Sequence, residues 1–333
     1  MKEDIALAIG PHLAFREFMD NSKIPMQKMQ SHVNFKQNVF ARVASFVSSY
    51  RSIPSDYKYY ISESCFYYPA AAKKLGRIDG KLIDVCASSI YYYLYTKKIA
   101  GVNRKILLNL IKEVDGFICE GVYVRDLLHK LGIEKSTVIV YTYINDERFS
   151  KLSKIKPKLL SKNICITPTN DYFYKGLDIL LEAMKFVNKD NKEITLTIAP
   201  NKELDLSPIK HLMGKNIRIN YDVVDMLSKS SLYVHPSRGD VFPVACLEPM
   251  AAGVPVMVSD QTGTKEVVDS VNSNHVTSIE PKMVAQKILE YFNLSSKEKN
   301  KLSLEFRKVS RGFNRKDQLK IFKKEYKSLK SII

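Results

Sequence analysis

The chain predicts an α/β protein built from two successive units of parallel strands with helical crossovers. Three observations predict it. Short apolar runs alternate with helical patterns along most of the sequence, the order expected of βαβ units. The length of 333 residues, 45% of them hydrophobic, suffices for two domains with full cores. A lysine-rich, proline-containing segment, SKLSKIKPKLLSKN at 150–163, interrupts the alternation near the middle. The expected division is 1–157, 158–310 and a terminal helix at 311–333.

In the first half, residues 5–9 form an apolar run ending at Gly10-Pro11, a strand feeding a loop. Phe35, Val39, Val43, Phe46 and Val47 carry helical spacing, which predicts a helix over 34–50. Residues 57–62 read as a strand, 69–75 as a helix stopped by Gly76, and 81–87 as a strand. An amphipathic helix at 104–113, a strand at 116–120, a helix at 122–131 closed by Gly132 and a strand at 137–141 complete this half. Tyr67-Tyr68 and Tyr91–Tyr93 read as core or strand residues, and Asp84 as a strand-end residue.

The second half repeats the pattern. A strand at 163–168 precedes a helix at 176–187, with Leu177, Leu180, Leu181, Met184 and Val187 on one face. Strands at 193–199 and 217–220, a helix at 224–230 and strands at 232–235 and 254–258 follow. In such sheets ligands sit beyond the carboxyl ends of the strands.

Composition narrows the function classes. The formal net charge of +17 favours anionic partners. Residues 297–333 alone carry thirteen Lys or Arg against four Asp or Glu, a run suited to phosphates, nucleic acid or an acidic membrane. A solvated helix face explains it equally well. No helix-turn-helix, RNP motif or zinc finger supports a dedicated nucleic-acid module. The five cysteines, at 65, 86, 119, 165 and 246, form no Cys-x-x-Cys pair and read as reduced core residues of a cytoplasmic protein. The opening MKEDIALAIG is too brief for a signal peptide, and no run approaches the ~20 apolar residues of a membrane span.

The most informative stretch is 235–266, HPSRGDVFPVACLEPMAAGVPVMVSDQTGTKE. It sets Asp240 and Glu248 around an apolar helix start, with Glu248 inside the apolar run 244–252. A carboxylate there is costly to bury unless something polar meets it, and a ligand bearing hydroxyls would do so. The stretch resembles the signature of the family 4 retaining glycosyltransferases, which have the GT-B fold. The matching residues are Pro236, Ser237, Asp240, Phe242, Glu248, Met250, Ala251, Ala252, Gly253, Pro255 and Val256. The family usually has Glu where Asp240 stands and Gly where Pro243 stands. Residues 114–149, the Lys175-Gly176 pair and Gly312-Phe313-Asn314 before a last helix extend the likeness.

The resemblance implies two Rossmann-like domains facing across a cleft, with the C-terminal helix returning to the first domain. It implies transfer of a sugar from a nucleoside-diphosphate sugar with retained configuration. Glu248 would accept hydrogen bonds from the ribose hydroxyls and Asp240 from the donor sugar, since an ionised carboxylate offers several acceptor sites to a diol. Lys175 matches the family's phosphate-binding lysine. The amides of Val244, Ala245 and Cys246 open a helix whose dipole favours the diphosphate, and Pro243 suits its first turn. Phe242 and Gly263 belong to the same donor side. Gly10 would let the backbone approach the phosphates. An Arg that the family usually carries is Thr169 here, so Arg238 or Lys265 would supply the missing charge. A His that the family often carries is replaced by Ala87-Ser88. His12 and His32 are candidates on the acceptor side. No metal or cofactor is expected, because no His/Cys cluster or Asp-x-Asp has ligand spacing.

Other readings stay open on the sequence: a catalytically weak relative that binds nucleotide-sugar or glycan, a basic protein acting on nucleic acid, and a nucleotide-sugar epimerase. The acceptor, whether glycan, lipid-linked or other, and the donor base are unidentified. Contact with an anionic membrane or with nucleic acid through the basic surface is an expectation of the charge alone.

Overall fold

The computed structural model describes residues 2–29, 39–169 and 171–333. They form two compact units, Met1–Tyr141 with Gln318–Ile333, and Thr142–Asp317.

The first unit begins with β1 (Lys2–Ala8), whose last four residues are buried, then α1 (Leu13–Asn21), β2 (Met26–Lys28) and α2 (Val39–Ser52). β3 (Tyr57–Glu63), α3 (Tyr67–Lys74), β4 (Lys81–Cys86), α4 (Ile90–Tyr95) and α5 (Gly101–Leu110) follow, then β5 (Gly116–Cys119), α6 (Val122–Lys130) and β6 (Ser136–Ile139). The six strands are parallel, in the order β2-β1-β3-β4-β5-β6. The order reverses between β1 and β3, where a crevice forms at the carboxyl ends because successive crossovers leave in opposite directions.

The second unit contains α7 (Asp146–Ser153), β7 (Asn163–Ile166), α8 (Leu177–Asp190), β8 (Thr195–Ile198), β9 (Ile217–Ile219), α9 (Val223–Lys229) and β10 (Leu232–His235). It continues through α10 (Val244–Ala252), β11 (Val256–Ser259), α11 (Lys265–Val271), β12 (Val276–Thr277), α12 (Pro281–Phe292) and α13 (Ser296–Ser310). Its sheet is again parallel, ordered β12-β11-β10-β7-β8-β9, with the reversal between β7 and β10. Counted within this unit, that is the order 3-2-1-4-5-6 of nucleotide-binding sheets.

The last helix, α14 (Arg315–Ile332), places its buried residues in the first unit. Phe322 stacks on Phe18 with ring centroids 4.6 Å apart, and Lys330 Nζ lies 2.7 Å from Asp4 Oδ1. Gly116 leaves room for Leu329, whose Cδ1 would lie 3.0 Å from a Cβ at that position.

The predicted strands recur within two residues, except that the first begins three residues earlier than the expected 5–9, and several readings change. The 150–163 segment is not wholly a linker: its first residues close α7, which belongs to the second unit. Tyr91–Tyr93 lie in the short helix α4, not a strand, with Tyr91 and Tyr92 buried. Asp84 is no strand end; it sits inside β4 with no exposure. All five cysteines are buried free thiols. Among the described residues, no helix is long and apolar enough to cross a membrane.

Candidate functional site

The second unit's switch point lies where the segment after β7 meets the segment after β10. The loop 236–243 is pinned there from two sides by glycines. Gly176 has φ +71°, and a Cβ on it would overlap the Pro236 carbonyl. A Cβ on Gly263 would overlap the Val241 carbonyl, and the Gly263 N–H donates to Asp240 O at 2.7 Å. The hydroxyl of Ser259 donates to Ser237 O at 2.6 Å, and Ser237 Oγ accepts the Asp240 N–H at 3.1 Å. The Arg238 N–H donates to Tyr174 O at 2.9 Å, and the Tyr174 hydroxyl donates to Gly239 O. These contacts fix the direction of Asp240.

Lys175 Nζ meets Asp240 Oδ2 at 2.5 Å, so two residues called from the sequence come together. The buried His235 places Nε2 3.1 Å from the same oxygen. Burial pushes the Asp240 carboxyl up, but the Lys175 charge and the His235 hydrogen bond outweigh it and hold the group at about 2. Burial also lowers His235, so its ring is neutral at pH 7 and carries its proton on the Nε2 facing Asp240. His235 Nδ1 is buried without a hydrogen-bond partner. The cluster is an ionised carboxylate held between an ammonium and a neutral imidazole.

Glu248 lies in the middle of α10 and is not sealed in the core; its side chain keeps 19% exposure. Both its oxygens accept from Arg148 of α7, Nε to Oε1 at 2.8 Å and Nη2 to Oε2 at 2.9 Å. This is the forked geometry that makes Arg–carboxylate pairs strong. The Glu248 hydrogen bond raises the Arg148 guanidinium further above its usual value. A second arginine braces the same two helices: Arg307 donates to Ser153 O at 2.8 Å, after α7 begins its last turn, and to Ala252 O at 2.7 Å at the end of α10. Sequence reasoning missed Arg148, although it stands inside the 114–149 stretch that carried the resemblance. It missed His235 as well, the first residue of the 235–266 stretch.

Other expected donor-side residues fare differently. Arg238 does not stand as a spare phosphate charge: its guanidinium forks onto Asp178 at 2.8 and 2.7 Å, donates to Phe173 O and lies 3.9 Å from the Phe173 ring centroid. Phe242 is buried, with its ring 5.5 Å from that of Phe313, so its side chain packs the core. Cys246 is buried, and burial pushes its thiol far up; only its backbone is in question, and that N–H is used by Pro243 O at 3.0 Å. Val244 and Ala245 remain as the first amides of α10. Lys265 Nζ donates to Asp260 O at 3.0 Å.

In the first unit the switch point between β1 and β3 also carries a hydrogen-bonded His–Glu pair. His12, at the start of α1, places Nδ1 2.8 Å from Glu63 Oε1, and its backbone N–H lies 3.1 Å from Oε2. Glu63 ends β3 and is buried, whereas the His12 side chain is 64% exposed. Gly10 stands just before, with open space where a Cβ would be. His32 lies outside the described residues. Asp84 accepts from the Ser62 and Tyr91 hydroxyls, and burial raises its carboxyl to about 7.

Residues 148–308, which span the second unit's site, match the family described as glycosyl transferases, group 1. An uncharacterised glycosyltransferase of Methanocaldococcus jannaschii is 24% identical over 254 residues, 71% of this chain and 62% of the relative. Another from the same organism is 26% identical over 189 residues, 54% of this chain and 50% of the relative. The chain thus matches half to two thirds of the length of these relatives. Among solved structures, sucrose-phosphate synthase from Thermosynechococcus elongatus aligns over 100% of both chains with a TM-score of 0.75 at 12% identity. HepE of Anabaena in complex with UDP and glucose aligns over 99% of this chain and 100% of its own, with a TM-score of 0.69 at 14% identity. The fold shared with these structures is GT-B, with two six-stranded parallel sheets and the terminal helix packed in the first unit.

Proposed function

We propose that the chain is a retaining glycosyltransferase that takes a sugar from a nucleoside-diphosphate sugar and passes it to an acceptor, with no metal or other cofactor taking part. The observation that carries this reading is the Lys175–Asp240 pair at the switch point of a 3-2-1-4-5-6 sheet, beside the first turn of α10. On this reading Lys175 and the amides of Val244 and Ala245 meet the diphosphate, and they stabilise the charge that grows on it as the glycosidic bond breaks. Asp240 accepts hydroxyl hydrogen bonds from the donor sugar. Its low carboxyl value keeps it an acceptor at any working pH. Glu248 takes the ribose diol while Arg148 holds its carboxylate plane. His12, oriented by Glu63, stands on the acceptor side.

Calorimetry of the purified chain with a panel of nucleoside diphosphates and their sugars tests the reading, repeated with Glu248→Ala. One base is expected to bind selectively, and the variant to bind it about 10 to 100-fold more weakly, the scale of a lost charged hydrogen-bond pair. A folded protein indifferent to every nucleotide would remove the reading. Product analysis with a matched acceptor then separates a transferase from a binding protein, and the anomeric configuration of the product settles retention.

The charge suggests where it works. Lys316, Lys320, Lys323, Lys324 and Lys327 form one exposed stripe along α14, suited to an anionic membrane or nucleic acid. We take a cytoplasmic protein at an anionic surface as the fitting proposal.

A further inference from the structure

The residues assigned to the donor leave a cavity of the first unit unused. Its volume is about 450 Å³, within the range that holds a small ligand. It lies beyond the carboxyl ends of β3 and β4, since Ser64 follows β3 and Ser88 follows β4. Its walls are mainly apolar: Tyr67 from α3, Tyr93 from α4, and Ile106 and Leu107 from α5. Ile106 is 51% exposed and its neighbour on the helix, Val102, 71%, so apolar surface continues from the cavity to solvent.

The segment that supplies most of its walls carries charge of one sign. Between Asp84 and Glu113 the chain carries Lys97, Lys98, Arg104, Lys105 and Lys112 and no carboxylate. Lys98 Nζ lies 5.0 Å from the ring centroid of Tyr93, a wall of the cavity. Arg104 Nε donates to Leu94 O at 2.9 Å, which fixes this side chain at the junction of α4 and α5. Lys105 is exposed next to Ile106. The carboxylates of β3 and β4, Glu63 and Asp84, are buried and engaged, Glu63 with His12 and Asp84 with Ser62 and Tyr91.

We propose that this cavity takes the hydrocarbon chain of an anionic amphiphile, an alkyl or lipid phosphate, with the cations of 97–105 meeting its headgroup. A sugar phosphate would use the cations and leave the apolar walls wet. A neutral lipid would fill the walls and leave the cations unused. Only a ligand with both parts answers the whole feature. As the acceptor subsite of a transferase it rests on the function proposed above; as a binding site it does not.

Calorimetry of the full chain with alkyl phosphates of six to twelve carbons, kept below their micelle concentrations, tests it. Affinity is expected to rise about fourfold per methylene until the cavity is filled. Octyl phosphate is expected to bind at least tenfold tighter than octanol. Ile106→Glu, at a half-exposed position that folding tolerates, should cost tenfold or more. Lys98→Glu should weaken octyl phosphate and leave octanol unchanged. Affinity independent of chain length, octanol equal to octyl phosphate, or indifference to Ile106→Glu would each overturn the proposal. Nucleoside diphosphate binding is followed in the same samples. Its absence, with alkyl phosphate binding intact, would remove the transferase reading and leave the cavity assignment standing.

Discussion

At the scale of single residues, two buried carboxylates, Asp240 and Asp84, are shifted in opposite directions and predict opposite pH behaviour. Asp240 has a folded value of about 2, below the ordinary 3.8, so its stabilising contribution is present above pH 4 and is lost as pH falls towards 2. The shift corresponds to about 2 kcal/mol. Lys175→Met removes the cation and leaves Asp240 charged and nearly buried, which should cost about 3 kcal/mol in urea unfolding at pH 7. It should also abolish measurable nucleotide binding. Asp84 has a folded value raised to about 7, so its contribution is full below pH 4 and is lost as pH rises through 7, at most about 4 kcal/mol. Asp84→Asn keeps a neutral hydrogen-bonding group. It should therefore be more stable than the wild type at pH 8 and not at pH 5; equal denaturant midpoints at both pH values would refute the burial argument. Asp240 and Glu248 were legible in the sequence because charges among apolar neighbours are anomalies. Arg148 was not, because its partner stands 100 positions away and an arginine on an exposed helix has no local signature.

At the scale of elements, the site depends on how closely loops and helices approach. Gly176 and Gly263 permit backbone contacts that any Cβ would block. Gly263→Ala must push Val241 away and move Asp240 with it, so we expect a loss of about 2–4 kcal/mol and of nucleotide affinity, read by thermal unfolding and calorimetry. The α7–α10 pair makes a subtler prediction. Arg148→Gln frees Glu248 to rotate but leaves the Arg307 brace in place. Overall stability should change little, while the preference for a ribonucleotide over its 2′-deoxy form should shrink several-fold. An unchanged preference would show that the fork does not orient Glu248. Strands and apolar-faced helices such as α8 were readable from periodicity. The first-half helix α1 and the helices α11, α12 and α13 were not assigned, although α1 and α12 carry as strong an apolar periodicity as α8; in the lysine-rich α13 that periodicity is weaker. Phe242, Cys246 and Arg238 share a stretch with Asp240, and sequence alone could not separate the buried or ion-paired side chains that carry the loop from those proposed to face a ligand.

At the scale of the whole molecule, the chain order and the packing order differ. The first unit is completed only by Gln318–Ile333, after the entire second unit has been made. The turn at Gly312-Phe313-Asn314 signalled a returning helix, but its anchoring residues are spread over Asp4, Phe18 and Gly116 and became visible only in the fold. This arrangement makes α14 a test of how independent the two units are. Phe322 is fully buried and stacked on Phe18. Phe322→Ala leaves a cavity in the first unit and removes that stacking, a loss of about 3–5 kcal/mol. The proposed donor residues, Lys175, Asp240, Arg148 and Glu248, all lie in the second unit. Calorimetric unfolding of the variant should therefore show the first unit's transition lowered by about 10 °C. Its nucleotide affinity at 25 °C should stay within twofold of wild type, and nucleotide should raise only the second unit's transition. Sugar transfer, which needs an acceptor as well, should fall with the first unit as temperature rises. If the variant instead loses nucleotide binding at a temperature where its second unit remains folded, the donor site draws on the first unit, and the loop after β1, with Gly10, becomes the place to look.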